Sequence, residues 1–91
     1  MTRLLGRMSS RQIDRELPHQ VHMIVPDMGF GRHLDVMHSW CRQRAIDYMT
    51  RGAGGHGEPD AMRWCFADPA HADAFHGEFG GERMRLGRLA P

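Results

Sequence analysis

Two short segments in which apolar and polar residues alternate constrain the fold of this 91-residue chain most strongly. They are HQVHMIVP at 19–26 and AMRWCFA at 61–67. In each segment every second residue belongs to one apolar side: Val21, Met23 and Val25 in the first, and Met62, Trp64 and Phe66 in the second. Alternation with a period of two is typical of a strand that buries one face. We therefore predict strands over 19–25 and 61–67.

Two other segments carry apolar residues at helical spacing. The first covers about 30–44, and the second begins at Asp68-Pro69 and ends at Phe79. Their apolar residues recur every three or four positions: Leu34, Met37 and Cys41 in the first, and Ala72, Phe75 and Phe79 in the second. Residues so spaced share one face of a helix. Asp68-Pro69 favours a helix start, because the carboxylate accepts from free N–H groups and proline has none to leave unpaired.

Two weaker strands complete the pattern. Residues 46–50 alternate in a way that favours a strand, and Met84 and Leu86 alternate with arginines. The glycine-rich stretch 52–57 predicts a long mobile hairpin loop between the second and third strands. The order strand, helix, strand, strand, helix, strand is that of a ferredoxin-like βαββαβ sandwich. We therefore predict a two-layer α+β fold, with an antiparallel sheet and two helices on one face.

The charge distribution separates one body from two basic ends. Arginine supplies all twelve basic side chains, a bias typical of GC-rich bacterial coding. Residues 1–15 carry four arginines against one aspartate, 83–91 carry three arginines and no acid, and 16–82 carry five arginines against ten carboxylates. A chain of this length supports one core. We predict an arginine-rich flexible arm over 1–17, one domain over 18–86 and a short tail over 87–91.

The composition argues against several chemistries. The absence of lysine excludes a Schiff-base lysine and a Walker A loop. Cys41 and Cys65 are too far apart for a CxxC motif. The histidine pairs His33/His38 and His71/His76 are each spaced five apart, about 140° around a helix, so neither pair can chelate from one face. We therefore expect no metal site, no cofactor and no catalytic activity.

The apolar runs are too short for a membrane or secretory segment. The longest, Met23-Ile24-Val25, falls far below the ~20 residues that cross a bilayer. The start of the sequence lacks the run of roughly 7 to 15 apolar residues found in a secretory signal. We therefore expect a soluble cytoplasmic protein that does not contact a membrane.

The segment VPDMGFGRHLDVM at 25–37 resembles the strand, glycine turn and helix of ACT-type regulatory domains, without the proline of their usual D-x-P-G turn. The resemblance implies a small effector bound at this turn by Asp27, Gly29 and Gly31. Separately, Asp27 at the end of the first predicted strand and Arg32 at the start of the first predicted helix are candidates for a small anion or amine site, because free N–H groups at a helix start attract anions. A small-ligand sensor is therefore one alternative function.

The segment RWCFADPAHADAF at 63–75 resembles the third strand and second helix of an RNA recognition motif. Ala61, Arg63 and His22 stand where that family carries aromatic rings that stack on bases. Because those rings are missing and the body is acidic, we do not expect nucleic acid to bind the sheet. Attachment to nucleic acid through the basic ends is a second alternative.

The side of the predicted sheet away from the helices is neither fully polar nor a core. It carries Gln20, His22, Ile24, Ala61, Arg63, Cys65 and Ala67. A semi-apolar face favours a protein partner, and a symmetric homodimer buries the same face twice. We therefore predict a non-catalytic binding or interaction module that self-associates through His22, Ile24, Arg63 and Cys65. The alternative is that the N-terminal arm or the 52–57 loop covers this face.

Overall fold

The computed structural model describes residues 8–86. In chain order the elements of this range are α1 (Ser10–Glu16), β1 (His19–Ile24), α2 (Arg32–Gln43), β2 (Met49–Gly55), β3 (Glu58–Phe66), α3 (Pro69–Phe79) and β4 (Glu82–Arg85). The predicted tail and the first seven residues of the predicted arm lie outside the described residues. None of the three helices in this range is long and apolar enough to cross a membrane.

The strands form one antiparallel sheet in the order β2-β3-β1-β4. Val21 lies opposite Trp64 in the pairing of β1 with β3. His22, one position further along β1, lies opposite Arg63 on one side and Glu82 on the other. Directly opposite residues share a face of the sheet. The predicted α+β class with an antiparallel sheet is confirmed.

The main core lies between the sheet and the helices α2 and α3. Its buried members are Val21, Met37, Cys41, Ile46, Trp64, Phe66, Ala72 and Phe75. The rings of Trp64 and Phe75 are stacked, with their centroids 4.9 Å apart. This contact confirms that the predicted strand and helix stripes converge on one interior.

Helix α3 begins where the sequence predicts. Pro69 is its first residue, and the Asp68 side chain accepts a hydrogen bond from the N–H of Ala70 at 2.8 Å. The helix ends at Phe79, and Gly80 follows with a φ of 81°. Both ends depend on local chemistry, which explains why the sequence alone locates them.

The predicted long loop at 52–57 is wrong. β2 continues to Gly55 and β3 begins at Glu58, so only His56 and Gly57 form the turn. Both turn residues have positive φ, 50° and 91°, as two-residue hairpin turns require. The glycines in this stretch therefore allow a tight turn with positive φ, and they do not form a mobile loop.

The second strand starts later than predicted. Residues 46–48 precede β2, which begins at Met49. Ile46 is buried in the main core, and Tyr48 packs against it. These two residues alternate with polar ones because their side chains pack on the core from the segment that connects α2 to β2. Such packing favours apolar residues whether or not the backbone is paired in a sheet.

Helix α1 lies on the other face of the sheet. Ile13 and Leu17 are buried with Cys65 in a second cluster, against which Met8 and Met49 pack. Residues 10–16 of the predicted arm are therefore helical and packed on the sheet. The alternative in which the arm covers part of the sheet face is confirmed for this helix.

Candidate interaction face of the sheet

The sheet face opposite α2 and α3 carries three rows of side chains that run across the strands. The row beneath α1, called here the α1 row, consists of Met49, Cys65, Gln20 and Met84; the middle row of Arg51, Arg63, His22 and Glu82; and the end row of Ala53, Ala61 and Ile24. Because the strand period is two, alternate residues of each strand belong to this face. The rows differ in chemistry and in what covers them.

The α1 row is largely covered. Cys65 is fully buried beneath Ile13 and Leu17. Burial raises the pKa of the Cys65 thiol to about 12. The sequence predicts Cys65 on an exposed interaction face, and the structure instead places it inside a small second core. The alternation in β3 identifies its face of the sheet, but not the helix that covers it.

A polar network holds α1 to the sheet. The Arg51 Nε and Nη2 atoms each donate to one carboxylate oxygen of Asp14, both at 3.2 Å. Gln20 donates from Nε2 to Asp14 at 2.9 Å and to the carbonyl of Leu17 at 3.0 Å. Gln20 is fully buried, and its Oε1 has no donor among the described residues. One carboxylate and two apolar side chains therefore account for most of the attachment.

The middle row is uncovered at its centre. Arg63 donates from Nε to Nδ1 of His22 at 3.1 Å, which requires an unprotonated Nδ1. Within residues 8–86, neither Arg63 nor Glu82 forms an ion pair with another side chain. The residues described therefore supply no opposite charge to either side chain.

The end row combines small residues with one exposed aliphatic side chain. Ile24 is 52% exposed at the end of the central strand β1. The small side chains of Ala61 and Ala53 follow it across β3 and β2, so the row is nearly flat beside Ile24. We call His22, Ile24, Ala53, Arg63 and Glu82 the open strip, which leaves out Ala61 because it is only 4% exposed. Three of the four residues predicted for the interaction face lie together in it.

The residues predicted to bind a small effector lie in the exposed segment between β1 and α2. Asp27, Gly29, Gly31 and Arg32 are all exposed. The N–H of Gly29 donates to the carbonyl of Pro26 at 2.8 Å, which closes a turn. The structure does not join Asp27 and Arg32 by a hydrogen bond or an ion pair, and an effector site at this turn stays a prediction.

A hydrogen bond between His38 and Tyr48 is the polar contact that sequence reasoning missed. The Nδ1 of His38 and the hydroxyl of Tyr48 are 2.6 Å apart, and the His38 ring lies 4.7 Å from that of Trp64. Burial lowers the pKa of His38 and raises the pKa of Tyr48. Both groups are therefore held neutral at the edge of the main core. The only sequence signal is the position of His38 beside the apolar stripe of α2.

In the part of the chain that the structure describes, no three His, Cys, Asp or Glu side chains are grouped to hold a metal ion. Both cysteines are unpaired. Comparison with known protein families, curated proteins and solved structures gives no match to this chain. The geometry of the open strip is therefore the main guide to function.

Proposed function

We propose that the protein is a non-catalytic interaction module that forms a homodimer through the open strip. The observation that carries this proposal is Ile24, which is 52% exposed at the end of β1, beyond the last residue of β1 that pairs with β4. The open strip places exposed apolar surface at Ile24 beside a row of polar groups at Arg63, His22 and Glu82, a combination that marks protein–protein contacts.

Twofold symmetry suits this surface. A twofold axis near the two Ile24 side chains brings the end rows of two copies together, and the same patch is then buried twice. Each α1 stands on the opposite end of its own face, where it limits how far the faces of two copies can overlap. The open strip contributes five side chains, far fewer than the roughly 20–30 residues per partner of a standard interface. We therefore expect a weak dimer that forms at high micromolar concentration.

The state of the two thiols supports a role without nucleophilic catalysis. Burial raises the pKa of Cys41 to about 11 and that of Cys65 to about 12. At neutral pH both groups are protonated thiols, which are poor nucleophiles. Unpaired cysteines also fit the reducing cytoplasm, where we place the protein as part of this proposal.

We further propose that the body over 18–86 is a ferredoxin-like sandwich, to which α1 is an addition. Its elements follow in the order β1, α2, β2, β3, α3, β4. The strand order β2-β3-β1-β4, antiparallel throughout, supports this assignment.

Sedimentation equilibrium from low to high micromolar concentration tests the dimer. We expect the unaltered chain to dimerise and Ile24→Ser to remain monomeric, because the variant removes this exposed apolar surface. Val36→Ser is the matched control, since Val36 is also 52% exposed but lies on α2. A chain that stays monomeric at high micromolar concentration overturns the proposal. So does an Ile24→Ser variant that dimerises normally, and loss of the dimer only in Val36→Ser would place the contact on α2.

A further inference from the structure

We infer that α1 is a releasable strap that covers part of the self-association face and weakens the contact between two copies. This inference rests on the proposed function, and it concerns the regulation of the same face. The strap is α1 with its connection to β1, and its release would extend the open strip to the α1 row.

The strap is held by few contacts. It contains seven residues, of which only Ile13 is buried, and Leu17 follows at its end. A helix of this length is not stable alone, so it persists only while it is packed on the sheet. Leu17 and Pro18 are the whole connection between α1 and β1. Because proline cannot continue the helix, α1 ends before β1 and can leave the sheet without unpairing that strand.

The polar attachment is partly accessible to water. The side chains of Asp14 and Arg51 are 28% and 18% exposed. Water can therefore solvate both charges and weaken this ion pair, whereas a fully buried ion pair is shielded from water. The buried Oε1 of Gln20 has no donor among the residues described. Release of α1 would give water access to this oxygen.

The surface beneath the strap is continuous with the open strip. The α1 row carries no charged side chain, because it consists of two methionines, a cysteine and a glutamine. With α1 released, this row would join the middle and end rows in one continuous face. A second copy and α1 therefore compete for the α1 row. Weakening the strap should strengthen self-association.

The two cysteines report separately on strap release and on global unfolding. Cys65 and Cys41 are both fully buried. Cys65 lies in the cluster beneath α1, whereas Cys41 lies in the main core. Release of α1 would expose Cys65 alone, and unfolding would expose both thiols. The ratio of their alkylation rates therefore measures local opening.

The experiment alkylates the full-length chain with iodoacetamide and locates the label by mass spectrometry. We expect Cys65 to react faster than Cys41. Asp14→Asn should raise the Cys65 rate by about tenfold and leave the Cys41 rate unchanged, because it removes the charged acceptor of Arg51 and Gln20. Arg51→Gln should act in the same way from the sheet side. Asp73→Asn is the matched control, since Asp73 pairs with Arg83 away from α1.

Sedimentation of the same variants tests the regulatory step. Asp14→Asn and Arg51→Gln should dimerise at about tenfold lower concentration than the unaltered chain, and Asp73→Asn should not. Equal rates at Cys65 and Cys41 in every variant would show that α1 does not open separately, which overturns the inference. Where the unaltered chain does dimerise, faster alkylation of Cys65 in Asp14→Asn and Arg51→Gln without stronger dimerisation also overturns it. If every form stays monomeric while Cys65 still opens first, the proposed function fails and the strap itself stands.

Discussion

At the scale of single residues, the alternation of apolar and polar residues predicted which face of the sheet a side chain lies on. It did not predict what covers that side chain. The positions of Trp64 and Cys65 in β3 predicted that one side chain enters the main core and that its neighbour lies on the other face. That Cys65 is buried as well depends on α1, which the alternation in β3 does not describe. The hydrogen bond between His38 and Tyr48 could not be predicted either, because it depends on the path of the connection before β2.

His38 should make stability depend on pH. Burial lowers its pKa below the ordinary value of 6.5, so the folded state disfavours the protonated ring. The unfolded chain binds that proton more readily, and the stabilisation is present above pH 6.5 and lost as the pH falls below it. Urea denaturation at pH 7.5, 6.5 and 5.5 should show that the free energy of unfolding falls as the pH is lowered.

His38→Gln isolates this contribution, because glutamine does not titrate. The variant should retain part of the pH dependence, since burial also lowers the pKa of His19. Identical pH dependence in His38→Gln and the unaltered chain would assign the whole effect to other groups.

At the scale of elements, local signals decided what could be predicted. The start of α3 was predictable because Asp68 and Pro69 suit the first turn of a helix by themselves. The hairpin between β2 and β3 was not, because a glycine run fits either a mobile loop or a tight turn with positive φ. The choice between loop and tight turn depends on distances between β2 and β3, such as the close approach of Gly54 to the carbonyl of Pro59. The sequence does not contain these distances.

Gly54→Ala should destabilise the hairpin strongly. Gly54 has a φ of 91°, and a Cβ at this position would clash with the carbonyl oxygen of Pro59. Backbone strain and the clash together should lower the free energy of unfolding by about 3 kcal/mol in urea titrations. Gly52→Ala is the control in the same strand, because a Cβ there meets no atom within 4 Å and φ is not positive. Similar losses in both variants would contradict this account of the hairpin.

At the scale of the whole molecule, one sheet separates two cores of unequal size. The main core was predictable, since two strand stripes and two helix stripes had only one way to share an interior. The second core was not, because α1 contributes only Ile13 and Leu17 to it, and two apolar residues four apart are a weak signal. Strand parity alone predicted that His22, Ile24 and Arg63 share one face, but not that Ala53 joins them, because the sequence predicts a loop there.

The two cores should respond differently to truncation. Phe75→Ala should lower the global free energy of unfolding by about 3–5 kcal/mol, because it leaves a cavity next to Trp64. Ile13→Ala should cost less, since loss of α1 packing limits its effect to the second core. Amide hydrogen exchange should then quicken in α1 and stay slow in β1 and β3. Faster exchange throughout the sheet in Ile13→Ala would mean that the two cores unfold together.

The glycine-rich strand β2 also bears on how far assembly can proceed. It is an edge strand, and its register shifts between Ala53 and Gly55. An edge with such an irregularity, and with few side chains to pack, is a poor template for another strand. Growth by strand addition along this edge is therefore hindered. Contact through the sheet face can produce a closed pair, while this edge resists extension into a fibre.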